Sequence, residues 1–237
     1  MSAPVFLHDD LSAARIVLDG AEGRHAAGAR RLATGEAVDL VDGAGTRADC
    51  RVLRAGRDEV LVEVLGQSYE PEPAPRVVLV QALPTADRGE LAVELATEVG
   101  VDEVVPWVSA RCVMQWKGER GERQRERWQA SAREATKQSR RAWVPTVAAL
   151  HTTAQLTARL AGVTVLVLHE AARTRLTALA PPAAGEVALV VGPEGGITAD
   201  ELDALGGTAV RLGPTVLRTS TAGAAAAAVL SAQTGRW

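Results

Sequence analysis

The sequence predicts an α/β protein: a parallel sheet with helices on both faces, preceded by a smaller β-rich segment. Three observations carry this. After Pro75, short apolar runs such as Val187–Val191 alternate with helical patterns, as in strands buried on both faces. Before it, strand and hairpin patterns dominate. Between them lies Tyr69-Glu70-Pro71-Glu72-Pro73-Ala74-Pro75, a proline-spaced linker. The expected division is therefore 1–70, a linker 71–75, and 76–237.

In the first part, Ala37–Val41, the turn Asp42-Gly43-Ala44-Gly45 and Arg47–Leu53 form a hairpin signature, and Val60–Leu65 alternates as a further strand. Polar hairpin residues, not a helix, follow the glycine triplet, so it is no dinucleotide loop. In the second part, Arg76–Ala82 reads as a strand and Arg88–Val99 as an amphipathic helix stopped by Gly100. Val101–Val105 is a strand closed by Pro106, Glu122–Arg141 a long helix, and Val163–Leu168 a strand. Leu176–Leu179 is a short helical or loop element. Then Val187–Val191 runs into Gly192-Pro193-Glu194-Gly195-Gly196, and Thr198 with Glu201 makes a capping-box pattern for the next helix. Val210–Leu212 is a brief strand, Gly213-Pro214 a turn, and an alanine-rich helix begins near Ala222. The two glycine loops, read as lying at neighbouring strand ends, would line one crevice with backbone N–H and C=O groups.

Composition narrows the function. Of 237 residues, 47% are hydrophobic and 23% charged, as in soluble globular proteins. No apolar run approaches the roughly 20 residues of a membrane span, and Asp9 and Asp10 interrupt any secretory leader. Cys50 and Cys112 lack C-x-x-C spacing, and four scattered histidines lack metal-ligand spacing. A cytoplasmic protein with reduced thiols, no metal and no membrane partner is expected. There is neither a P-loop nor a G-x-G-x-x-G after a strand.

The net charge of −3 argues against a protein coated in basic residues, but its distribution is uneven. From Lys117 to Arg141 nine Lys/Arg face four Glu, an excess suited to phosphate backbone. Up to Arg127 the pattern fits a solvated helix laced with Glu/Arg pairs; Arg133–Arg141 has less acidic compensation. Up to Glu72 the chain holds eight Arg and thirteen Asp/Glu. There only a local patch, Arg24, His25, Arg30 and Arg31, suits RNA.

Gly192-Pro193-Glu194-Gly195-Gly196 after a strand, followed by Leu212-Gly213-Pro214 and Leu217-Arg218-Thr219-Ser220-Thr221-Ala222, resembles the cofactor-binding end of SPOUT-class RNA methyltransferases. More closely it resembles the RsmE family, and Ala132–Pro145 is similar to a further block of that family. The resemblance implies a SPOUT-type parallel sheet with a C-terminal trefoil knot, a PUA-like β-barrel in front, and a homodimer across the knot. It implies methylation by S-adenosyl-L-methionine of N3 of a uridine, number 1498, in 16S rRNA of the assembled small ribosomal subunit. The alternatives are a SPOUT enzyme acting on ribose 2′-oxygens or another RNA, and a noncatalytic RNA-binding protein.

By the same resemblance, Leu168, His169 and Glu170 end one knot strand, Gly192–Gly196 form the second loop, and Leu212, Gly213, Leu217, Arg218, Thr219, Thr221 and Ala222 form the third. Together they would wrap the cofactor. Glu194 reads as a residue that accepts backbone bonds within its own loop. Arg218 is the catalytic candidate, since an arginine at that mouth suits a phosphate or the uracil carbonyls. A histidine ring is suited to proton transfer, which recommends His169, yet the sequence identifies no convincing base. Arg24, Arg30, Arg31, Arg133, Glu134, Gln138, Arg140 and Arg141 are the RNA candidates; Glu134 and Gln138 share a helix face expected to border the target base. Trp143 reads first as a core or interface aromatic, with stacking on a nucleotide as the alternative. Family members usually carry a lysine within the stretch occupied by Pro84–Arg88, often another near Glu94, a basic residue at Thr215 and a glutamate at Ser220. These departures bear on RNA contacts rather than on the fold.

Overall fold

The computed structural model describes residues 3–85 and 88–237 and divides into two compact units. The first comprises residues 1–72 with 136–144, and the second 73–135 with 145–237. Ala86 and Asp87, part of the Pro84–Arg88 departure, lie outside the described residues.

The first unit carries β1 (Val5–Leu7), β2 (Arg15–Leu18), helix α1 (Gly20–Arg24, continued by a π-helical turn over His25–Ala29), β3 (Ala37–Val41), β4 (Thr46–Ala55) and β5 (Val60–Tyr69). Its sheet runs β1-β3-β4-β5-β2, antiparallel except for β1 beside β3. Alternation fills one core: Val38 and Leu40 of β3, Cys50 and Val52 of β4, and Val60 and Val62 of β5 meet Phe6, Ile16 and Leu18. β1 and β2 are too short to announce themselves by period.

In the second unit stand β6 (Arg76–Ala82), α2 (Arg88–Glu98), β7 (Glu103–Val108), α3 (Gly118–Ser139, whose last residues belong to the first unit), β8 (Thr146–Val147), β9 (His151–Thr152) and α4 (Thr153–Arg159). They are followed by β10 (Thr164–Leu168), a 3₁₀ turn at Leu176–Ala178, β11 (Glu186–Val191), α5 (Ala199–Leu205), β12 (Thr208–Val210) and α6 (Thr219–Thr234). All strands are parallel in the order β12-β10-β11-β6-β7-β8, with β9 also on β7. Both faces are buried. Val77, Leu79, Val187, Leu189 and Val191 pack with α2, α3 and α6 residues such as Val93, Trp128 and Ala227. The alternate positions Val78, Val80, Ala188 and Val190 pack with Leu156 of α4 and Leu205 of α5. α6 lies close to the sheet because Gly223 has no side chain: a Cβ there would sit 2.7 Å from Leu79.

Four expectations change. β7 does not stop at Pro106 but runs through to Val108. The Val104 carbonyl bonds Ala148, on the β8 side, while the Trp107 carbonyl bonds Leu83, on the β6 side. Alternation then puts Pro106 on the same side as Val104, at the gap between β8 and β9, where its missing N–H leaves no ladder bond broken. The last strand is Thr208–Val210 rather than Val210–Leu212, and α6 begins at Thr219 rather than near Ala222. Finally, β11 and β12 are not neighbours; β10 lies between them.

Candidate active site

That strand order brings three segments together at one sheet end: residues 168–170 at the end of β10, 192–196 after β11 and 211–218 after β12. They enclose a cleft of about 730 Å³, within the usual range for small-ligand sites. Every cofactor candidate named from the sequence lines it except Thr221. The Thr221 hydroxyl instead donates to the Arg218 carbonyl at 3.2 Å, inside the first turn of α6. The crevice is thus lined by the three loops that the resemblance implied, while the strands before the two glycine loops are not adjacent, since β10 lies between them.

Local sequence fixes each wall. The predicted capping box is present: the Thr198 hydroxyl accepts from the Glu201 N–H at 3.2 Å, and Glu201 accepts from the Thr198 N–H at 3.1 Å. Gly196 takes φ +78° to turn the chain into that helix. At Gly192 a Cβ would lie 2.5 Å from Ile197, whereas at Gly213 it would meet nothing within 4 Å. Only the second glycine therefore leaves open space beside the backbone. Val216 and Leu217 on the cleft wall are 78% and 39% exposed, an apolar surface without a protein partner among the described residues.

Glu194 does more than brace its own loop. Its Oε1 accepts from the Thr219 hydroxyl at 3.2 Å and from the Thr85 hydroxyl and N–H at 3.3 and 3.4 Å. It therefore ties the β11 loop both to the loop after β6 and to the start of α6. Burial works against its charge. Its own N–H and the bonds from Thr85 and Thr219 outweigh that and hold the carboxyl below the usual glutamate range. His169 is engaged locally: its Nδ1 accepts from the Ala171 N–H at 3.2 Å, and its own N–H bonds the Val210 carbonyl at 2.9 Å.

Four arginines line the cleft: Arg88, Arg111, Arg211 and Arg218. Only Arg218 was visible as a candidate in the sequence. Arg111 sits in an irregular loop after β7, without a motif, and only closure of the fold brings it to Gly195. Its Nη1 donates to the Gly195 carbonyl at 2.9 Å.

The RNA candidates separate. Within the first unit, Arg30, Gln138 and Arg140 join His25 and Lys137 around a polar notch of about 110 Å³. Lys137 is not a free cation: it is buried against Glu22 at 2.7 Å. Arg24 and Arg31 are exposed on the chain flanking the π-helical turn, and Arg141 is half-buried; none of the three lines the notch. Arg31 and Arg140, at φ +52° and +59°, are the two non-glycine positive-φ residues among those described. Arg140 occupies the position after α3 where glycine is the usual choice: the Arg141 N–H reaches back to the Thr136 carbonyl at 3.0 Å, and the Arg140 carbonyl accepts from Arg47 at 2.7 Å. Arg133 and Glu134 are exposed and belong to the second unit. Neither Glu134 nor Gln138 is among the residues that line the cleft. Trp143 proves structural: its indole donates to the Glu70 carbonyl at 2.9 Å and meets Tyr69 edge-on at 6.2 Å.

Comparison with known proteins resolves what this cleft belongs to. The model of an RNA methyltransferase domain matches residues 70–231, and that of an RNA methyltransferase PUA domain matches residues 18–65. Ribosomal RNA small subunit methyltransferase E of Mycobacterium bovis is 48% identical over all of this chain and 94% of its own length.

The chain belongs to the ribosomal RNA small subunit methyltransferase E family.

The Bacillus subtilis member of the methyltransferase E family is 30% identical over 92% of this chain and 90% of its own. Among solved structures, methyltransferase E of Neisseria gonorrhoeae, crystallised with S-adenosylmethionine, superposes with a TM-score of 0.87 at 26% identity, covering 98% of each chain. A Legionella pneumophila protein solved with the same cofactor gives 0.86 at 25% identity, again over 98% of each chain. The parallel sheet and the preceding PUA-like β unit are thus those of a methyltransferase E. No described helix is long and apolar enough to cross a membrane.

Proposed function

We propose that this protein uses S-adenosyl-L-methionine to methylate N3 of a uridine in 16S rRNA of the assembled small ribosomal subunit, the uridine numbered 1498 by family resemblance. The observation that carries this is the convergence of the three strand-end loops on one cleft. The residues fit the cofactor. Val216 and Leu217 offer an apolar surface for a flat base, Gly213 has room beside its backbone, and glycine-loop main chain offers hydrogen bonds to an adenine edge. When bound, the cofactor supplies a methyl group on a sulfonium. No metal or covalent nucleophile is needed for such a displacement, which is mainly a matter of alignment.

The chain's own residues then have distinct tasks. Leu168, His169, Glu170, Gly192–Gly196, Leu212, Gly213, Leu217, Thr219 and Ala222 enclose the cofactor, with Glu194 tying the β11 loop to the loop after β6 and to the start of α6. Thr221 contributes by shaping the α6 turn. Arg218 meets substrate at the mouth. The notch residues Arg30, Gln138 and Arg140, with Arg24, Arg31, Arg133, Glu134 and Arg141, form the RNA-facing set. A trefoil knot through the C-terminal loops, a homodimer and a cytoplasmic location complete the proposal. Mass spectrometry of rRNA nucleosides tests it: deletion of the gene removes N3-methyluridine. Unchanged N3-methyluridine rejects the reading, and loss of a ribose methyl instead transfers the activity to the 2′-oxygen.

A further inference from the structure

Arg111 is the cleft arginine that the fold holds in place. Besides the 2.9 Å bond to the Gly195 carbonyl, it packs so closely that a Cβ on Gly195 would lie 3.1 Å from the Arg111 Cβ. The loop beneath it is pinned by Glu201, a buried residue of the first turn of α5. One Glu201 oxygen accepts from the Ala110 N–H at 2.7 Å and the Thr153 hydroxyl at 3.3 Å. The other accepts from the Thr198 N–H and hydroxyl at 3.1 and 3.0 Å. Among the described residues no carboxylate lies within ion-pair distance of Arg111.

A guanidinium that lines a cleft, is oriented by one hydrogen bond and keeps further donors uncommitted is prepared for an anion. Arg218 differs. Its side chain has no hydrogen bond among the described residues, which suits a flexible grip on phosphate. Charge that develops during reaction is best met by a donor already in position, because no reorganisation is then required.

We infer that Arg111 donates to a carbonyl oxygen of the target uracil and stabilises the ring in its N3-deprotonated form; this rests on the uridine-N3 reading above. The proton on N3 passes to solvent, leaving a lone pair on N3 and negative charge shared with the flanking carbonyl oxygens. That pair forms the N3–CH3 bond as the bond from methyl to sulfur breaks, and the sulfur keeps the bonding electrons as a neutral thioether. A fixed cation at a carbonyl oxygen favours the anion and so lowers the pH at which N3 becomes nucleophilic.

The test is the pH profile of kcat for Arg111→Met and Arg111→Lys, with full-length protein, saturating cofactor and small subunits lacking the modification. Cofactor affinity is measured alongside by calorimetry. The methionine variant is expected to lose about 100-fold in kcat near neutral pH. Above the pH where the wild type levels off, the gap should narrow by about tenfold per pH unit. The lysine variant should recover part of the rate, and cofactor affinity should stay at the wild-type value in both. A deficit equal at every pH, weakened cofactor binding as the whole effect, or wild-type kcat each overturns the inference and leaves Arg111 as a prop for the glycine loop. If nucleoside analysis finds no N3-methyluridine even with the wild type, the uridine-N3 reading falls and this inference with it.

Discussion

The hydroxyl of Thr219 and the carboxylate of Glu194 meet at 3.2 Å, joining the first residue of α6 to the loop after β11. Thr85 donates twice to the same oxygen, so one charged acceptor holds three chain segments around the cleft. Hydrogen bonds to a charged group contribute about 1.5–3 kcal/mol each when one partner is deleted. Glu194→Ala should therefore weaken S-adenosylmethionine binding by at least about tenfold in calorimetry. Glu194→Gln, which keeps an acceptor but loses the charge, should fall between. Wild-type affinity in both would remove Glu194 from the cofactor site.

Two glycines of the cleft, Gly192 and Gly213, should respond differently. Gly213→Val places its first carbon in open space, so cofactor binding should vanish while Tm stays near the wild-type value. Gly192→Val drives a side chain into Ile197, 2.5 Å from the new Cβ, and should cost about 1–3 kcal/mol of stability as an overpacked site. Thermal melts paired with calorimetry separate the two; a large Tm loss in Gly213→Val would contradict the open-space geometry.

Arg140 stands where the backbone favours glycine, at a cost of roughly 1–2 kcal/mol. Arg140→Gly relieves that cost, so the protein should keep its Tm while binding of small subunits weakens. One phosphate contact fewer should also reduce the slope of log affinity against log salt by about 0.7–0.9. Cofactor affinity should not change, since Arg140 does not line the cleft. Unchanged affinity and salt slope for the subunit would make the notch a solvated surface.

Trp143 closes the hairpin turn between β3 and β4, with its ring 2.7 Å from where a Cβ on Gly45 would stand. Trp143→Ala should destabilise the first unit by about 3 kcal/mol, seen as a lowered denaturation midpoint. A variant that keeps its midpoint but loses RNA binding would instead restore the stacking role.

Acid should unfold the protein through its paired carboxylates. Burial raises the Glu186 pKa, but bonds and charge from Arg159 and Arg76 outweigh it and hold the group below its ordinary range. Glu194 and Glu201 are also held low, by hydrogen bonds that overcome burial. For a depressed carboxyl, the stabilisation is present above the unfolded pKa, about 4.3 for Glu. It is lost as pH falls through the lower folded value. Tm should thus be steady near neutrality and drop below about pH 4, less steeply in Glu186→Gln. An equally steep drop in that variant would assign the acid sensitivity elsewhere.

The sequence by itself determined the elements whose pattern is local. β3, β6 and β11 follow from apolar runs, and the capping box of α5 from Thr198 and Glu201, because period and caps are written in neighbouring residues. The glycine loops were legible for the same reason: a missing Cβ is a property of the residue itself. Only the tertiary structure decided what depends on distant chain. Pairing put β10 between β11 and β12, so the two glycine loops do not follow neighbouring strands. Pro106 reads as a stop in sequence, yet the gap between β8 and β9 lets β7 pass through it. Arg111 carries no motif, and 84 residues separate it from the Gly195 carbonyl it binds. Lys137 counted as a basic residue for RNA until folding buried it against Glu22. Charge and spacing are one-dimensional; whether a cation faces a carboxylate, a carbonyl or open space is fixed by which strands pair.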